Sequence, residues 1–178
     1  MIETERLILR GWVEEDAEAL FRYARDPEVG PVAGWAPHES VDYSREIIRT
    51  VFASPEVYAV VSKQTGEPVG CCGLVPFGGN PTDVSTAAEA EIGYWIGKPF
   101  WGHGLIPEAV NALLTRAFTQ LNLTTVWGSR LRRQSPFAAR AGKMRIQISP
   151  YGRTCGFAAW RRPHGAFLHD NRSGQTDG

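Results

Sequence analysis

Lys98-Pro99-Phe100-Trp101-Gly102-His103-Gly104-Leu105-Ile106-Pro107-Glu108-Ala109 decides how the rest of the chain is read. It reads as the end of a strand, a glycine-containing turn and the start of a helix, with Pro107 and Glu108 in the first helical turn. Ala109, Val110, Leu113, Leu114, Ala117 and Phe118 then fall on one helical face. A helix N-terminus leaves about four N–H groups without partners. Its dipole adds roughly half a positive charge. Glycines at 102 and 104 let a ligand come close to that backbone. The arrangement suits a diphosphate and needs no basic side chain. A tight turn with no ligand fits the same residues. There is no P-loop lysine, and the glycine spacing is not that of a dinucleotide fold.

Upstream, Arg6-Leu7-Ile8-Leu9-Arg10 reads as a buried strand. Ala17, Leu20, Phe21 and Ala24 have helical spacing behind the acidic run Glu14-Glu15-Asp16, and Asp26-Pro27 ends that helix. A proline-rich loop over 28–41 and a second helix over 42–52 follow. Residues 57–61 and 68–75 form a hairpin across 63–67, and 89–97 alternates as a third strand. Downstream, 123–128 is another strand. The expected order is βααβββαβ, an α/β fold with a mixed central sheet and flanking helices.

Several of these pieces resemble, in order, the GNAT superfamily of acetyl-CoA-dependent N-acetyltransferases, in the branch that modifies ribosomal-protein N-termini. They are Thr4-Glu5-Arg6-Leu7-Ile8-Leu9-Arg10, Glu67-Pro68-Val69-Gly70, Ala90-Glu91-Ile92-Gly93-Tyr94-Trp95-Ile96 and Phe100 to Ala109. The resemblance spans residues 1–129; Pro99 stands where many members carry Arg or Gln, a replacement common in this branch. It implies that acetyl-CoA is the donor and that the backbone of Gly102, His103, Gly104, Leu105, Ile106 and Pro107, beside Trp101, holds the diphosphate. It also implies that the strand carrying Tyr94, Trp95 and Ile96 splays from its neighbour and binds the pantetheine arm through main-chain groups. The acceptor is a primary amine, on a protein N-terminus or a small molecule, and its attack requires a base. Glu91 is the first candidate and Glu89, on the same strand face, the reserve. Both also read as solvated edge carboxylates. Trp35 and His38 lie on the loop that shapes the acceptor pocket in this superfamily. The resemblance is compatible with a homodimer.

Other residues have plainer readings. His103 could act as a base but reads better as a loop residue near the phosphates. Cys71 and Cys72, within an apolar strand, read as small core residues. Trp12, Trp35, Trp95, Trp101 and Trp127 read as packing, Trp35 having the acceptor-loop reading beside it. The three cysteines make neither a disulfide framework nor metal-ligand spacing, so no metal is expected. No apolar run approaches the ~18–20 residues of a membrane span. The acidic N-terminus does not read as a secretory signal, and the expected location is the cytoplasm.

The chain has 178 residues, with 19 Lys+Arg against 19 Asp+Glu. That balance hides a break. Residues 1–129 carry nine basic and 17 acidic residues, net −8; residues 130–178 carry ten basic, nine of them arginine, and two acidic, net +8. The division is therefore a domain at 1–129 and an arginine-rich tail at 130–178 with no helical or strand period, expected to be poorly ordered. The branch continues here with an aromatic, Asp-Gly-Asn, Ser-Arg-Arg and Glu-Lys-x-Gly-Phe, and none of these follows Ser129 in this chain. Codons permitted for residues 131–152, read one nucleotide later, spell that pattern in order. Met has one codon, so its last two bases and the C of a CGN arginine at 145 give the cysteine of Lys-Cys-Gly-Phe. A single-nucleotide frameshift between about codons 128 and 131 is expected, with the final helix and strands lost or non-native. Lowered stability and activity follow from such a change. Two alternatives stand beside the enzyme. One is an inactive acetyl-CoA-binding relative. The other is weak nucleic-acid binding through the tail, for which no recognition motif is present.

Overall fold

The computed structural model describes residues 1–77, 84, 87–130, 146–148 and 156–161. Their strands are β1 (Ile2–Glu3), β2 (Leu7–Gly11), β3 (Val57–Ser62), β4 (Pro68–Phe77), β5 (Glu89–Ile96), β6 (Thr125–Arg130), β7 (Ile146–Ile148) and β8 (Gly156–Arg161). The helices are α1 (Ala17–Ala24), α2 (Gly30–Ala33), α3 (Val41–Thr50) and α4 (Leu105–Thr119). One sheet runs in the order β1-β2-β3-β4-β5-β6-β8-β7. Every neighbouring pair is antiparallel except β5 and β6, which are parallel and joined through α4. The mixed α/β architecture is the one the sequence implies. Within residues 1–129, β1 and α2 are additions, two and four residues long, too short to leave a period.

The sheet has apolar side chains on both faces. One face carries Leu7, Leu9, Val60, Val69, Cys72, Leu74, Ala90, Ile92 and Val126 and packs on Leu105, Ile106, Ala109, Val110, Leu113, Leu114 and Ala117 of α4. The stripe read from the sequence is therefore the inner face of α4. On the other side, Ala17, Leu20, Ala24 and Ile48 of α1 and α3 pack with Trp12, Trp35, Phe52 and Trp95. Ser40 caps α3, its hydroxyl accepting the Tyr43 N–H at 3.0 Å. An ion pair between the partly exposed Arg116 and the buried Glu56 ties the far end of α4 to the sheet. The Arg116 guanidinium donates Nε to Glu56 Oε2 at 2.9 Å and Nη2 to Oε1 at 2.6 Å. The Tyr58 hydroxyl donates to Oε2 at 2.8 Å. Burial, then the Glu56 bond, raises the Tyr58 phenol to about 12.

The tail differs from expectation in part. Residues 156–161 pair with β6 from Thr125↔Arg161 to Arg130↔Gly156, and residues 146–148 pair with them in turn. Gly156-Phe157-Ala158-Ala159-Trp160 is a continuous run without a charge, and β6 would otherwise present a row of unpaired N–H and C=O groups. Those two facts favour strand addition whatever the origin of the residues. The rest of the tail, including the segment where the final helix is expected to be missing and most of the arginines, lies outside the described residues.

Candidate active site

The parallel ladder between β5 and β6 runs from Glu89↔Thr125 to Ile92↔Gly128 and stops. β5 continues through Gly93, Tyr94, Trp95 and Ile96 on β4 alone, while β6 continues through Ser129 and Arg130 on β8. The two central strands thus part after four residue pairs. Gly70 of β4 permits the close crossing at the end of β5, since a Cβ there would overlap the Trp95 carbonyl oxygen. This accounts physically for the glycine in Glu67-Pro68-Val69-Gly70.

Beyond Ile96 the chain makes a 3-10 turn at Lys98–Phe100, not a strand, and reaches α4 through Gly102 and Gly104, at φ 79° and 75°. The Trp101 indole N–H donates to the Ile96 carbonyl at 2.9 Å and pins this loop to the end of β5. Gly104 is the N-cap of α4 and offers no side chain to cap it. Among the described residues, no protein acceptor takes the N–H groups of Gly102, His103, Gly104, Leu105 and Ile106. Leu105 and Ile106 are buried in the core, which fixes the direction of the helix start. Pro107 has no N–H to lose. The His103 side chain is exposed.

The carboxylates sit where strand alternation places them. Glu89, Glu91, Gly93 and Trp95 share a face, and their partners across the ladder are Thr125 and Trp127. The Trp127 indole N–H donates to Glu89 Oε2 at 2.7 Å, so Glu89 is held against β6. Glu91, half-buried, is the last carboxylate before the strands part. At Gly93 a Cβ would meet nothing within 4 Å, so the face is open between Glu91 and Trp95.

Trp35 meets Trp95 edge-on with ring centroids 5.6 Å apart, and stands 5.2 Å from the His38 ring. The loop of Trp35 therefore reaches the strand of the candidate base. His38 is buried, with Nδ1 at 2.8 Å from Ser44 Oγ and its ring 5.0 Å from that of Tyr43. Ser44 gives its proton to the Ser40 carbonyl at 3.2 Å, which makes His38 Nδ1 the donor in that pair. Burial pulls the His38 imidazole below its ordinary 6.5. The unfolded chain therefore binds the proton that the folded ring resists. Stability is full above about pH 6.5 and falls as pH is lowered from there toward the folded value. Urea denaturation at pH 7 and pH 5.5 should show this loss, and His38→Gln should remove it.

Sequence reasoning missed the anchor of the loop. Glu108 Oε1 accepts the Thr4 hydroxyl at 2.6 Å and the Arg6 backbone N–H at 2.9 Å, and Oε2 accepts Arg6 Nε at 2.7 Å. Arg6 Nη2 lies 2.6 Å from Oε2 as well. Burial alone would raise the Glu108 carboxyl, but the bonds from Thr4 and Arg6 hold it below the usual carboxylate range. The signal was present in Thr4-x-Arg6 and in the glutamate at 108, about a hundred residues apart.

Parallel strands that part, and a helix start whose N–H groups meet no protein acceptor among the described residues, fit an acyltransferase of the GNAT kind. Residues 6–139 match the model of the acetyltransferase (GNAT) domain. The chain belongs to that family. An N-acetyltransferase of Bacillus licheniformis is 35% identical over 128 residues, covering 69% of this chain and 68% of its own. Another from Bacillus subtilis is 28% identical over 131 residues, with 71% of each chain covered. The fold is shared with the GNAT-family acetyltransferase of Bacillus anthracis, at TM-score 0.71 and 19% identity over 90% of this chain and 97% of that one. It is also shared with a ribosomal-protein-S5-alanine acetyltransferase of Vibrio fischeri, at TM-score 0.65, 17% identity, and 89% and 94% coverage. Among the described residues no helix is long and apolar enough to cross a membrane, and no group of His, Cys, Asp and Glu is arranged to hold a metal ion.

Proposed function

We propose that this chain transfers acetyl from acetyl-CoA to a primary amine. The observation that carries the reading is the ladder ending at Ile92, with β5 leading on to residues 102–106, whose N–H groups meet no protein acceptor among the described residues. These residues fit the donor: among the described residues, five main-chain donors face no protein acceptor, and a Cβ at Gly102 would meet nothing within 4 Å. Acetyl-CoA supplies an activated thioester, from which the amine takes the acetyl group as the thiol leaves.

The chain's own residues would do the rest. The N–H groups of Gly102 to Ile106 hold the diphosphate, with Trp101 and Pro107 shaping the loop around it. Main-chain groups of Tyr94, Trp95 and Ile96 pair with the pantetheine arm, and peptide N–H groups of β5 polarise the thioester carbonyl. Glu91, reaching through a water, takes the proton that an ammonium must lose before it attacks. Glu89, engaged by Trp127, is the reserve base. Trp35 and His38 shape the wall on the acceptor side. The acceptor is a protein N-terminus or a small amine, met in the cytoplasm.

The tail enters the same proposal. The charge break after Ser129 and the family-order run on the shifted codons support a changed reading frame over 130–178, which lowers cofactor affinity and activity. The gene's nucleotide sequence decides this directly. Free-thiol release from acetyl-CoA with a panel of amines and N-terminal peptides tests the activity. We expect weak, amine-dependent release from this chain and stronger release once the frame is restored. No release from either would end the acetyltransferase reading.

Gly104→Val tests the loop. An L residue in the left-handed region costs about 1–2 kcal/mol, and φ at residue 104 is 75°. Calorimetry should show CoA affinity lowered about tenfold, with α4 and the core intact.

A further inference from the structure

The anchor described above does more than join the two ends of the domain. The Arg6 guanidinium donates Nη1 to the His103 carbonyl at 2.9 Å and Nη2 to the Gly104 carbonyl at a longer 3.4 Å. In a planar trans peptide the C=O and the N–H point in opposite directions. Holding the carbonyls of His103 and Gly104 toward Arg6 therefore turns the N–H groups of Gly104 and Leu105 to the opposite side. No protein acceptor stands on that side among the described residues. The same guanidinium neutralises Glu108, whose carboxylate lies in the first turn of α4 and would otherwise oppose an anion there.

We propose that Arg6 is a positioning residue for the cofactor diphosphate, aiming the N–H groups of Gly104 and Leu105 and cancelling the charge of Glu108. This rests on the acetyl-CoA reading above. Arg6 acts through the loop and through Glu108; it need not touch the cofactor. The planar fork matters, because a lysine ammonium cannot serve a carboxylate and two carbonyls in one fixed geometry.

The test compares Arg6→Gln, Arg6→Lys and the double variant Arg6→Gln/Glu108→Gln with the unaltered chain. CoA affinity is read by calorimetry, and kcat/KM is measured for acetyl-CoA and for S-acetylpantetheine, which lacks the diphosphate. Arg6→Gln should weaken CoA binding about tenfold or more, since each tenfold corresponds to about 1.4 kcal/mol. Arg6→Lys should weaken it less, and the double variant should recover part of the loss by removing the unpaired carboxylate. Turnover of S-acetylpantetheine should stay within about twofold, a difference of about 0.4 kcal/mol, in all three variants. If Arg6→Gln binds CoA as the unaltered chain does, or loses both donors equally, the inference is wrong and Arg6 serves the fold alone. If the unaltered chain takes up no CoA, the acetyltransferase reading falls and this inference with it. Normal CoA uptake with indifferent Arg6 variants overturns this inference and leaves that reading standing.

Discussion

Glu91→Gln is expected to lower kcat for acetyl transfer by about 100-fold or more at neutral pH, the range for removing a positioned general base. Affinity for CoA should be nearly unchanged. The placement of the residue is the reason. Glu91 is the last carboxylate on β5 before the ladder with β6 ends, and the face continues through open space at Gly93 to Trp95. An amine lying on that face would present its proton to the residue at 91. Glutamine keeps the size and the hydrogen-bonding atoms but cannot take the proton. The loss should shrink as pH rises and more of the acceptor is already neutral. Steady-state rates across pH 7–9.5, an interval spanning roughly the α-amino to lysine range, check this. A Glu89→Gln variant serves as the comparison and should cost less, because Glu89 stands two residues farther from the point where the strands part. Equal losses in the two variants would move the base assignment to the pair.

Arg116→Ala should destabilise the domain by about 3 kcal/mol, the lower end of the cost of breaking a buried ion pair. Glu56 is 6% exposed, and among the described residues its carboxylate would be left with the Tyr58 hydroxyl as its side-chain donor. The pair holds the last turns of α4 against the start of β3, so its loss loosens the helix whose other end begins at the Gly102–Gly104 turn. For a domain of this size about 3 kcal/mol lowers the melting temperature by about 6–12 °C. Differential scanning calorimetry checks the figure. A double variant, Glu56→Leu with Arg116→Met, should recover most of it, because removing both charges leaves neither desolvated and unpaired. Failure to recover would mean that shape, and not the stranded charge, sets the cost.

How much of this was legible in the sequence follows from how local each signal is. The stripe on α4, the alternation of β5 and the Gly-x-Gly before the helix are short-range patterns, and the elements stand where those patterns place them. The family resemblance assigns Trp35 to the loop that shapes the acceptor pocket, but the meeting of its ring with Trp95 could not be read from the sequence. What could not be read was pairing across distance. Arg6 reads as the start of a strand and Thr4 as part of the N-terminal family stretch, while their function in the fold is to hold Glu108 and the loop carbonyls. Glu56 and Arg116 are ordinary charges in the sequence, separated by 60 positions, and become an ion pair only when α4 lies on the sheet. The tail shows the reverse case. Its lack of period suggested lost strands, yet an uncharged run beside an open sheet edge is enough for pairing.

The central claim is that residues 93–96 and 102–106 together receive acetyl-CoA. Amide hydrogen exchange with and without saturating acetyl-CoA tests it most directly, since the claim concerns those N–H groups and does not depend on finding the acceptor. Exchange should slow at Gly104, Leu105 and Ile106 and along Gly93 to Ile96, with little change in β1, β2 and β3. Unchanged exchange at both segments, with acetyl-CoA present in excess, would contradict it.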